Sequence, residues 1–339
     1  MRVTLVTNSK SGGGAERSMN LLANSLQTCE ISTSIFPLTD GVADLVETVE
    51  ETIEPIFGVE KSLRSLIKGI LRFRSEIYNQ KTDVAILNCD LPELLGLFLP
   101  RKIKLVIVEH ARHPWGGRRI LGVLVRLAHL SRRTTFVAVS THLRIWPLQF
   151  KYRAVLPNMI NGNTESIKKI EITEIRRLVF IGRLSKIKRP NVFIQICKNL
   201  KLPGLILGVG PMQAELKSKI SRHRLDIEFL GYKKNPWEFL SKGDLVIVPS
   251  QSEGDGLVIV EAIQKGFPLL MSDIKDFRRF GFQSDLLCAN VKEFTARIKA
   301  ASVDERPIYI SEDITRQILQ TRNKTFITQE WERFLKKFM

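Results

Sequence analysis

Short apolar runs alternate with longer segments of helical periodicity from one end of the chain to the other. Many of the runs are continuously apolar, which is typical of parallel strands buried on both faces. The predicted strands are Val3–Val6, Ile31–Phe36, Asp83–Leu87, Leu105–Val108, Phe136–Val139, Leu178–Ile181, Leu205–Leu207, Ile227–Phe229, Leu245–Val248 and Leu269–Met271. Strand–helix alternation of this kind predicts an α/β protein with parallel sheets joined by right-handed crossovers.

The segments between the strands have the periodicity of amphipathic helices. In Arg17–Leu26, for example, Met19, Leu22, Ala23 and Leu26 share one helical face. We therefore expect helices to cover both faces of each sheet.

A polar stretch at 157–174, which contains Pro157 and Gly162, interrupts the alternation before a fresh strand begins. A chain of 339 residues also favours two domains. We predict an N-terminal Rossmann-like domain over 1–160, a linker over 161–175 and a C-terminal Rossmann-like domain over 176–311. The two domains should face each other across a central cleft. The remaining helical segment, 312–339, is expected to pack along or back across the domains.

The composition excludes several classes of protein. The apolar and charged fractions are those of an ordinary globular chain. The four cysteines lie far apart without a CxxC pair, which argues against a disulfide framework or a zinc site and favours a reducing compartment. The start of the chain shows no signal peptide, and the apolar stretch 120–130 is too short to span a bilayer. The sequence thus predicts a cytoplasmic protein.

Positive charge is concentrated in the first half of the chain. Residues 61–153 hold eighteen Lys and Arg against five acidic residues, and within 101–153 the only acid is Glu109. Such a block indicates an anionic partner, which could be a nucleic acid, a membrane surface or a phosphorylated substrate; a solvated basic face is the alternative.

Segment 61–78 adds an amphipathic helix to this half. Its predicted basic face holds Lys61, Arg64, Lys68 and Arg72, and its predicted apolar face holds Leu63, Leu66, Ile67, Ile70 and Phe73. A helix packed on its own sheet is one interpretation. The other, which we carry forward, is peripheral and salt-reversible binding of the N-terminal domain to the inner face of the cell membrane.

In open α/β sheets, ligands bind beyond the carboxyl ends of the strands. After the first strand, three glycines ending at Gly14 open a helix and can aim free N–H groups at an anion. The loop is neither a Walker loop nor a GxGxxG motif, so a plain tight turn is the alternative. His110 follows the strand Leu105–Val108 and could orient or polarise a substrate, although a local hydrogen-bonding role is common for such a residue.

Two loops of the second half carry the strongest signals. Arg183 and Lys188 follow a strand and precede a helix, where paired cations can neutralise a diphosphate leaving group. A later loop places Glu253 before the turn Gly256-Leu257, with Glu261 about one turn into the following helix. Its amides suit a phosphate, and a carboxylate can accept hydrogen bonds from a sugar diol.

Gly-Gly-Ala-Glu-Arg near the start, Gly-Arg-Leu-x-x-x-Lys at 182–188 and Glu-x7-Glu at 253–261 together resemble the retaining GT-B glycosyltransferases of family four. The similarity extends over nearly the whole chain and is most specific at 178–273. The Glu109-His110 pair is similar to that of bacterial members that build lipid-linked oligosaccharides for surface polysaccharides such as lipopolysaccharide.

The resemblance implies a GT-B fold and a role for each candidate residue. Arg183 and Lys188 would bind the donor diphosphate, and Glu253 would contact the transferred sugar. Glu261 would accept the ribose hydroxyls. The phosphates would be lined by Gly14, Gly256 and Leu257, and His110 would face the reacting centre.

The resemblance also implies the substrates. The donor would be a nucleotide sugar, with UDP favoured, and no separate cofactor is expected. The acceptor would be a saccharide linked to polyprenyl diphosphate at an anionic membrane surface. No Asp-x-Asp triplet occurs, which is consistent with a metal-independent reaction. One departure is Asp255, which stands where many relatives carry an aromatic or aliphatic residue, so the donor sugar is not assigned.

Two other functions remain open on the sequence. An epimerase or phosphorylase could use the same architecture, although we find no cofactor lysine for a phosphorylase. A nucleic-acid-binding module would explain the basic block but not the glycine loops, and the chain has no RNP motif, zinc knuckle or helix-turn-helix signature. We therefore expect no nucleic-acid partner.

Overall fold

The computed structural model describes residues 1–9, 13–39, 63–111, 114–147, 153–160, 169–303 and 306–339, with residues 63–66 described by their backbone alone. The chain divides into two compact units. The first comprises Met1–Asn161 and Lys324–Met339, and the second comprises Gly162–Asn323.

Within its described residues, the first unit contains one parallel sheet flanked by helices. Its strands are β1 (Arg2–Ser9), β2 (Ser32–Thr39), β3 (Val84–Asn88), β4 (Lys104–Glu109), β5 (Thr135–Ala138) and β6 (Ala154–Val155). Its helices before the second unit are α1 (Gly14–Gln27), α2 (Leu63–Asn79), α3 (Asp90–Gly96) and α4 (Arg119–Ser131). The strand order is β2-β1-β3-β4-β5-β6.

The second unit repeats this architecture over its described residues. Its strands are β7 (Ile170–Ile172), β8 (Arg177–Ile181), β9 (Gly204–Leu207), β10 (Ile227–Gly231), β11 (Asp244–Val248), β12 (Leu269–Ser272), β13 (Leu287–Cys288) and β14 (Ile308–Ile310). Its helices are α5 (Pro190–Leu200), α6 (Gln213–Arg222), α7 (Leu257–Lys265), α8 (Lys275–Arg278), α9 (Val291–Val303) and α10 (Glu312–Arg322). The parallel sheet has the order β10-β9-β8-β11-β12-β13. This is the Rossmann order, and its direction reverses between β8 and β11.

The predicted α/β class is confirmed, and each of the ten predicted strands is present. The predicted linker 161–175 is wrong at β7, which pairs antiparallel with β14 and buries Ile170 and Ile172. The sequence did not predict this strand because it lies in a polar stretch. Its partner strand is more than a hundred residues further along the chain.

The C-terminal segment 312–339 is divided between the units. Helix α10 belongs to the second unit and packs on α7. Helix α11 (Lys324–Leu335) belongs to the first unit, where it packs on α1 and buries Trp331 in the core. The segment therefore completes the cores of both units.

Helices α2, α3 and α4 pack on the sheet face opposite to α1 and α11. Among the described side chains of α2, Phe73 and Ile77 are buried, whereas Ile67, on the predicted apolar face, is exposed. Lys68 and Arg72 face outward as predicted. Lys61 and the side chains of Leu63, Arg64 and Leu66 lie outside the described residues.

Among the helices of the described ranges, none has the length and apolar content needed to cross a bilayer.

Candidate functional site

Strands β8 and β11 are hydrogen-bonded neighbours in the second unit. The loops after their carboxyl ends therefore meet at the point where the strand order reverses, and the backbone N–H of Gln251 donates to the carbonyl oxygen of Ile187 at 2.8 Å. Lys188, on the first loop, forms an ion pair through Nζ with Oε1 of Glu253, on the second. The structure thus joins two of the predicted residues that are 65 positions apart.

Glu253 is held by neighbours on three sides. The Ser250 hydroxyl donates to Glu253 Oε1 at 2.8 Å, and the backbone N–H of Glu253 donates to Asp276 Oδ2 at 2.8 Å. The Ser252 hydroxyl donates to the same Asp276 oxygen at 3.1 Å. Sequence reasoning missed Ser250 and Asp276, because their importance comes from contacts with the Glu253 loop rather than from a motif.

Helix α7 begins at Leu257, directly after Gly256. Gly256 has a φ of 70°, in the left-handed region that favours glycine, and its carbonyl oxygen accepts from the N–H groups of Ile259 and Val260. The first N–H groups of a helix have no carbonyl partner within it, so this turn can accept an anion.

Glu261 lies on α7 just beyond its first turn. The indole Nε1–H of Trp237 donates to Glu261 Oε2 at 3.2 Å, and Trp237 stacks on Phe267 with a centroid distance of 6.0 Å. Trp237 therefore orients the carboxylate from a rigid aromatic pair. The sequence alone gave no signal for this contact.

Asp255 points into the protein rather than outward from the loop. Its carboxylate accepts hydrogen bonds from Arg322 at 2.6 and 2.7 Å and from Arg279 at 3.2 Å. The Asp255 side chain is consequently occupied in a buried ion-pair cluster, which gives this departure from the family pattern a structural reason.

The loops after β8 and β9 approach each other closely. A Cβ on Gly208 would lie 2.0 Å from the carbonyl oxygen of Gly182, and one on Gly210 would lie 2.5 Å from that of Leu184. Gly182 also has a φ of 151°. The Gly208-Val-Gly210 loop was missed in the sequence, although its two glycines after a strand were a usable signal. Arg183 follows Gly182 and is exposed at this edge of the sheet.

The two remaining candidates lie in the first unit. Gly14 is the exposed first residue of α1, while Lys10, Ser11 and Gly12 fall outside the described residues. His110 follows β4 directly, as predicted.

Beside His110 lies a buried charge network that sequence reasoning missed. Arg126 of α4 donates to Glu109 at 2.8 Å and to Glu93 of α3 at 2.9 Å, and Trp115 donates to Glu93 at 3.2 Å. Burial raises the pKa of Glu93 to about 7, against the opposing effect of Arg126. This arginine is therefore part of the interior and not of the basic surface predicted over 101–153.

Within the described ranges, no three His, Cys, Asp or Glu side chains gather in a way that could hold a metal ion.

Comparison with known proteins agrees with this architecture. Residues 163–283 match the family model Glycosyl transferases group 1. A GalNAc-alpha-(1->4)-GalNAc-alpha-(1->3)-diNAcBac-PP-undecaprenol alpha-1,4-N-acetyl-D-galactosaminyltransferase of Campylobacter jejuni is 24% identical over 275 residues, which cover 78% of this chain and 77% of the relative.

Two solved structures share the fold over almost the full length. Anabaena Alr3699/HepE in complex with UDP and glucose has a TM-score of 0.80 at 17% identity, with 99% of each chain covered. The lipopolysaccharide outer core galactosyltransferase WaaB in its apo form has a TM-score of 0.68 at 14% identity, with 100% of each chain covered.

The fold is therefore that of the GT-B glycosyltransferases, as the sequence resemblance implied. The segment 163–283 that matches this family model includes the loops of Lys188 and Glu253 and helix α7. Together these similarities support a glycosyltransferase.

Proposed function

We propose that this protein transfers a hexosyl or N-acetylhexosaminyl unit from a nucleotide sugar to a lipid-linked saccharide. UDP is the favoured nucleotide of the donor, and the transferred sugar retains its anomeric configuration. The observation that carries the proposal is the pairing of Lys188 with Glu253 where the Rossmann strand order reverses, beside the amino end of α7. Nucleotides bind at such a reversal because two adjacent loops diverge there and leave room for a ligand.

In this proposal the donor occupies the second unit. Glu261, oriented by Trp237, accepts hydrogen bonds from the ribose hydroxyls, and the amides at Gly256-Leu257 bind phosphate oxygens. Arg183 and Lys188 offset the charge that develops on the leaving diphosphate.

Glu253 contacts the transferred sugar and does not act as a covalent nucleophile. The leaving phosphate takes the proton of the acceptor hydroxyl while the new bond forms on the same face of the sugar. Because arginine and lysine supply the positive charge, the reaction proceeds without a bound metal. In the free enzyme Glu253 forms an ion pair with Lys188. Donor binding breaks this pair, after which Lys188 contacts the phosphate and Glu253 contacts the sugar.

The first unit takes the acceptor, with His110 directly after β4 in the role at the reacting centre that the resemblance implied. Gly14, at the start of α1, keeps the phosphate-binding role implied by the same resemblance. The name of the Campylobacter jejuni relative, which includes PP-undecaprenol, supports a polyprenyl-diphosphate-linked acceptor. Such an acceptor resides in a membrane, so the protein would work at the inner face of the cell membrane.

The direct test is transfer from a panel of nucleotide sugars to polyprenyl-diphosphate-linked saccharides, after thermal shift has ranked the nucleotides. A bound nucleotide raises the melting temperature by an amount that grows with the logarithm of its concentration relative to its dissociation constant. Sugar transfer that requires both substrates supports the proposal. Conversion of the donor alone into an epimer would support the epimerase instead, and the absence of any nucleotide-dependent shift would contradict a donor site.

A further inference from the structure

Helix α4 has its apolar and polar faces reversed relative to a usual surface helix. Four aliphatic side chains face outward: Ile120 is 81% exposed, Leu121 40%, Leu124 60% and Leu127 48%. Surface helices normally bury such residues and expose their charged ones. A contiguous aliphatic stripe of this kind marks an interaction surface.

The reversal has a cause within the first unit. The buried face of α4 carries Arg126 and His129, because Arg126 neutralises the buried carboxylates of Glu93 and Glu109. His129 bonds the Glu93 carbonyl oxygen at 2.8 Å and the Thr134 hydroxyl at 2.9 Å. Because these polar groups occupy the buried face of α4, the aliphatic side chains lie on the opposite, exposed face.

The cationic side chains around the aliphatic stripe indicate what kind of surface it binds. Helix α4 contains no acidic residue, and exposed Arg119 and Arg133 lie at its two ends. A helix of thirteen residues is about 20 Å long, so these cations bracket the stripe. Helix α2, on the same face of the sheet, adds exposed Ile67 and Leu71 beside Lys68 and Arg72. An aliphatic face framed by cations complements an anionic lipid surface.

We propose that α4 docks the first unit onto an anionic bilayer, lying along the headgroups with Ile120, Leu121, Leu124 and Leu127 directed toward the acyl chains. This inference rests on the proposed lipid-linked acceptor, and it assigns the contact to an inserted apolar stripe rather than to surface charge alone. Binding of this kind requires anionic lipid for the initial attraction but resists salt once the leucines are inserted, in contrast to the salt-reversible binding expected from the sequence.

The test is flotation of the full chain with vesicles of phosphatidylethanolamine and phosphatidylglycerol, compared with vesicles of phosphatidylcholine alone. The wild type should bind the anionic vesicles, and a substantial fraction should remain bound when salt is raised from about 0.1 M to about 0.5 M. Each of Leu121→Ser, Leu124→Ser and Leu127→Ser should weaken binding by roughly tenfold. Val303→Ser, which changes an exposed aliphatic residue of the second unit, is the matched control and should bind as the wild type does.

Two readouts separate this inference from the proposed function. Each variant should keep the wild-type melting temperature and the same stabilisation by UDP, since α4 lies outside the proposed donor site. If UDP stabilises the wild type but the wild type does not bind the anionic vesicles, the α4 assignment is overturned and the proposed donor site is not. Vesicle binding that the leucine variants leave intact would also overturn it, as would a wild-type dimer in solution that those variants dissociate, because a second copy would then cover the stripe.

Discussion

Arg322, the last residue of α10, donates two hydrogen bonds to Asp255, in the loop before α7, at 2.6 and 2.7 Å. Both side chains are 4% exposed. The pair therefore fixes the loop that carries Glu253 and Gly256 to a helix that ends where the chain leaves the second unit.

Breaking this pair should destabilise the second unit strongly. Removing Arg322 leaves Asp255 its contact with Arg279 at 3.2 Å but takes away the two shorter hydrogen bonds, and the loss of one partner from a buried ion pair costs about 3–5 kcal/mol. We expect Arg322→Met to lower the unfolding free energy by that amount in urea denaturation, and Asp255→Leu combined with Arg322→Met to recover part of the loss. Arg316→Met, at an exposed pair on the same helix, is the control and should change it by less than about 1 kcal/mol. Equal effects of Arg322→Met and Arg316→Met would show that the buried pair does not hold the loop.

Lys188 and Arg183 should be needed for turnover rather than for folding. Both belong to the loop after β8, and the loss of one well-placed electrostatic contact typically lowers kcat by roughly a hundredfold or more. We expect such a loss for Lys188→Ala and for Arg183→Ala, with melting temperatures close to that of the wild type. Lys186→Ala, an exposed change in the same loop, serves as the control. A turnover within about twofold of the wild type for Lys188→Ala would remove this residue from the mechanism.

Glu261→Gln should weaken donor binding more than acceptor binding. A carboxylate accepts hydrogen bonds from two hydroxyls, whereas an amide offers one acceptor oxygen and an NH2 group. The donor KM should rise while the acceptor KM stays near its original value, and Glu312→Gln at an exposed site of α10 should change neither. A rise confined to the acceptor KM would show that the ribose does not lie at Glu261.

His129 should make folding of the first unit sensitive to acid. Burial lowers its pKa from 6.5 to about 4, and a neutral ring satisfies both of its hydrogen bonds. Since the folded pKa lies below the unfolded one, this contribution is present above pH 6.5 and is lost as the pH falls toward 4. The difference in unfolding free energy between wild type and His129→Gln should therefore be larger at pH 7 than at pH 5. A difference that does not change with pH would contradict the neutral buried ring.

The contribution of Glu93 to the unfolding free energy should change with pH in the direction opposite to that of His129. The pKa of Glu93 is raised by burial from 4.5 to about 7, so its contribution is present below pH 4.5 and is lost as the pH rises through 7. The destabilisation caused by Glu93→Gln should thus shrink between pH 5 and pH 8, or reverse. If the destabilisation instead grew with pH, the carboxylate would be stabilised by Arg126 more than burial opposes it.

Strand positions and the site loops were predictable from the sequence because each depends on local signals. The apolar runs around Val246 and Val106 needed no knowledge of their partners. Gly182 follows the end of β8 directly, and Gly256 lies immediately before α7. These signals placed Lys188 and Glu253 on loops beyond strand ends, and the structure adds that the two loops are adjacent.

The features that the sequence did not reveal depend on distant partners. The pair Asp255–Arg322 joins residues 67 positions apart, and β7 pairs with β14, which lies more than a hundred residues further along the chain. The reversal of α4 is of the same kind, since Arg126 is drawn inward by carboxylates from α3 and β4. A periodic pattern cannot anticipate a buried cation whose partners lie on other elements.

The most direct test of the account is an NMR time course of the anomeric proton during transfer from a UDP sugar to a polyprenyl-diphosphate-linked saccharide, with EDTA present. We expect an acceptor-dependent product that retains the donor's anomeric configuration, formed in EDTA at the same rate as without it and lost in Lys188→Ala. A product of inverted configuration, or a strict requirement for added magnesium or manganese, would contradict the proposed chemistry.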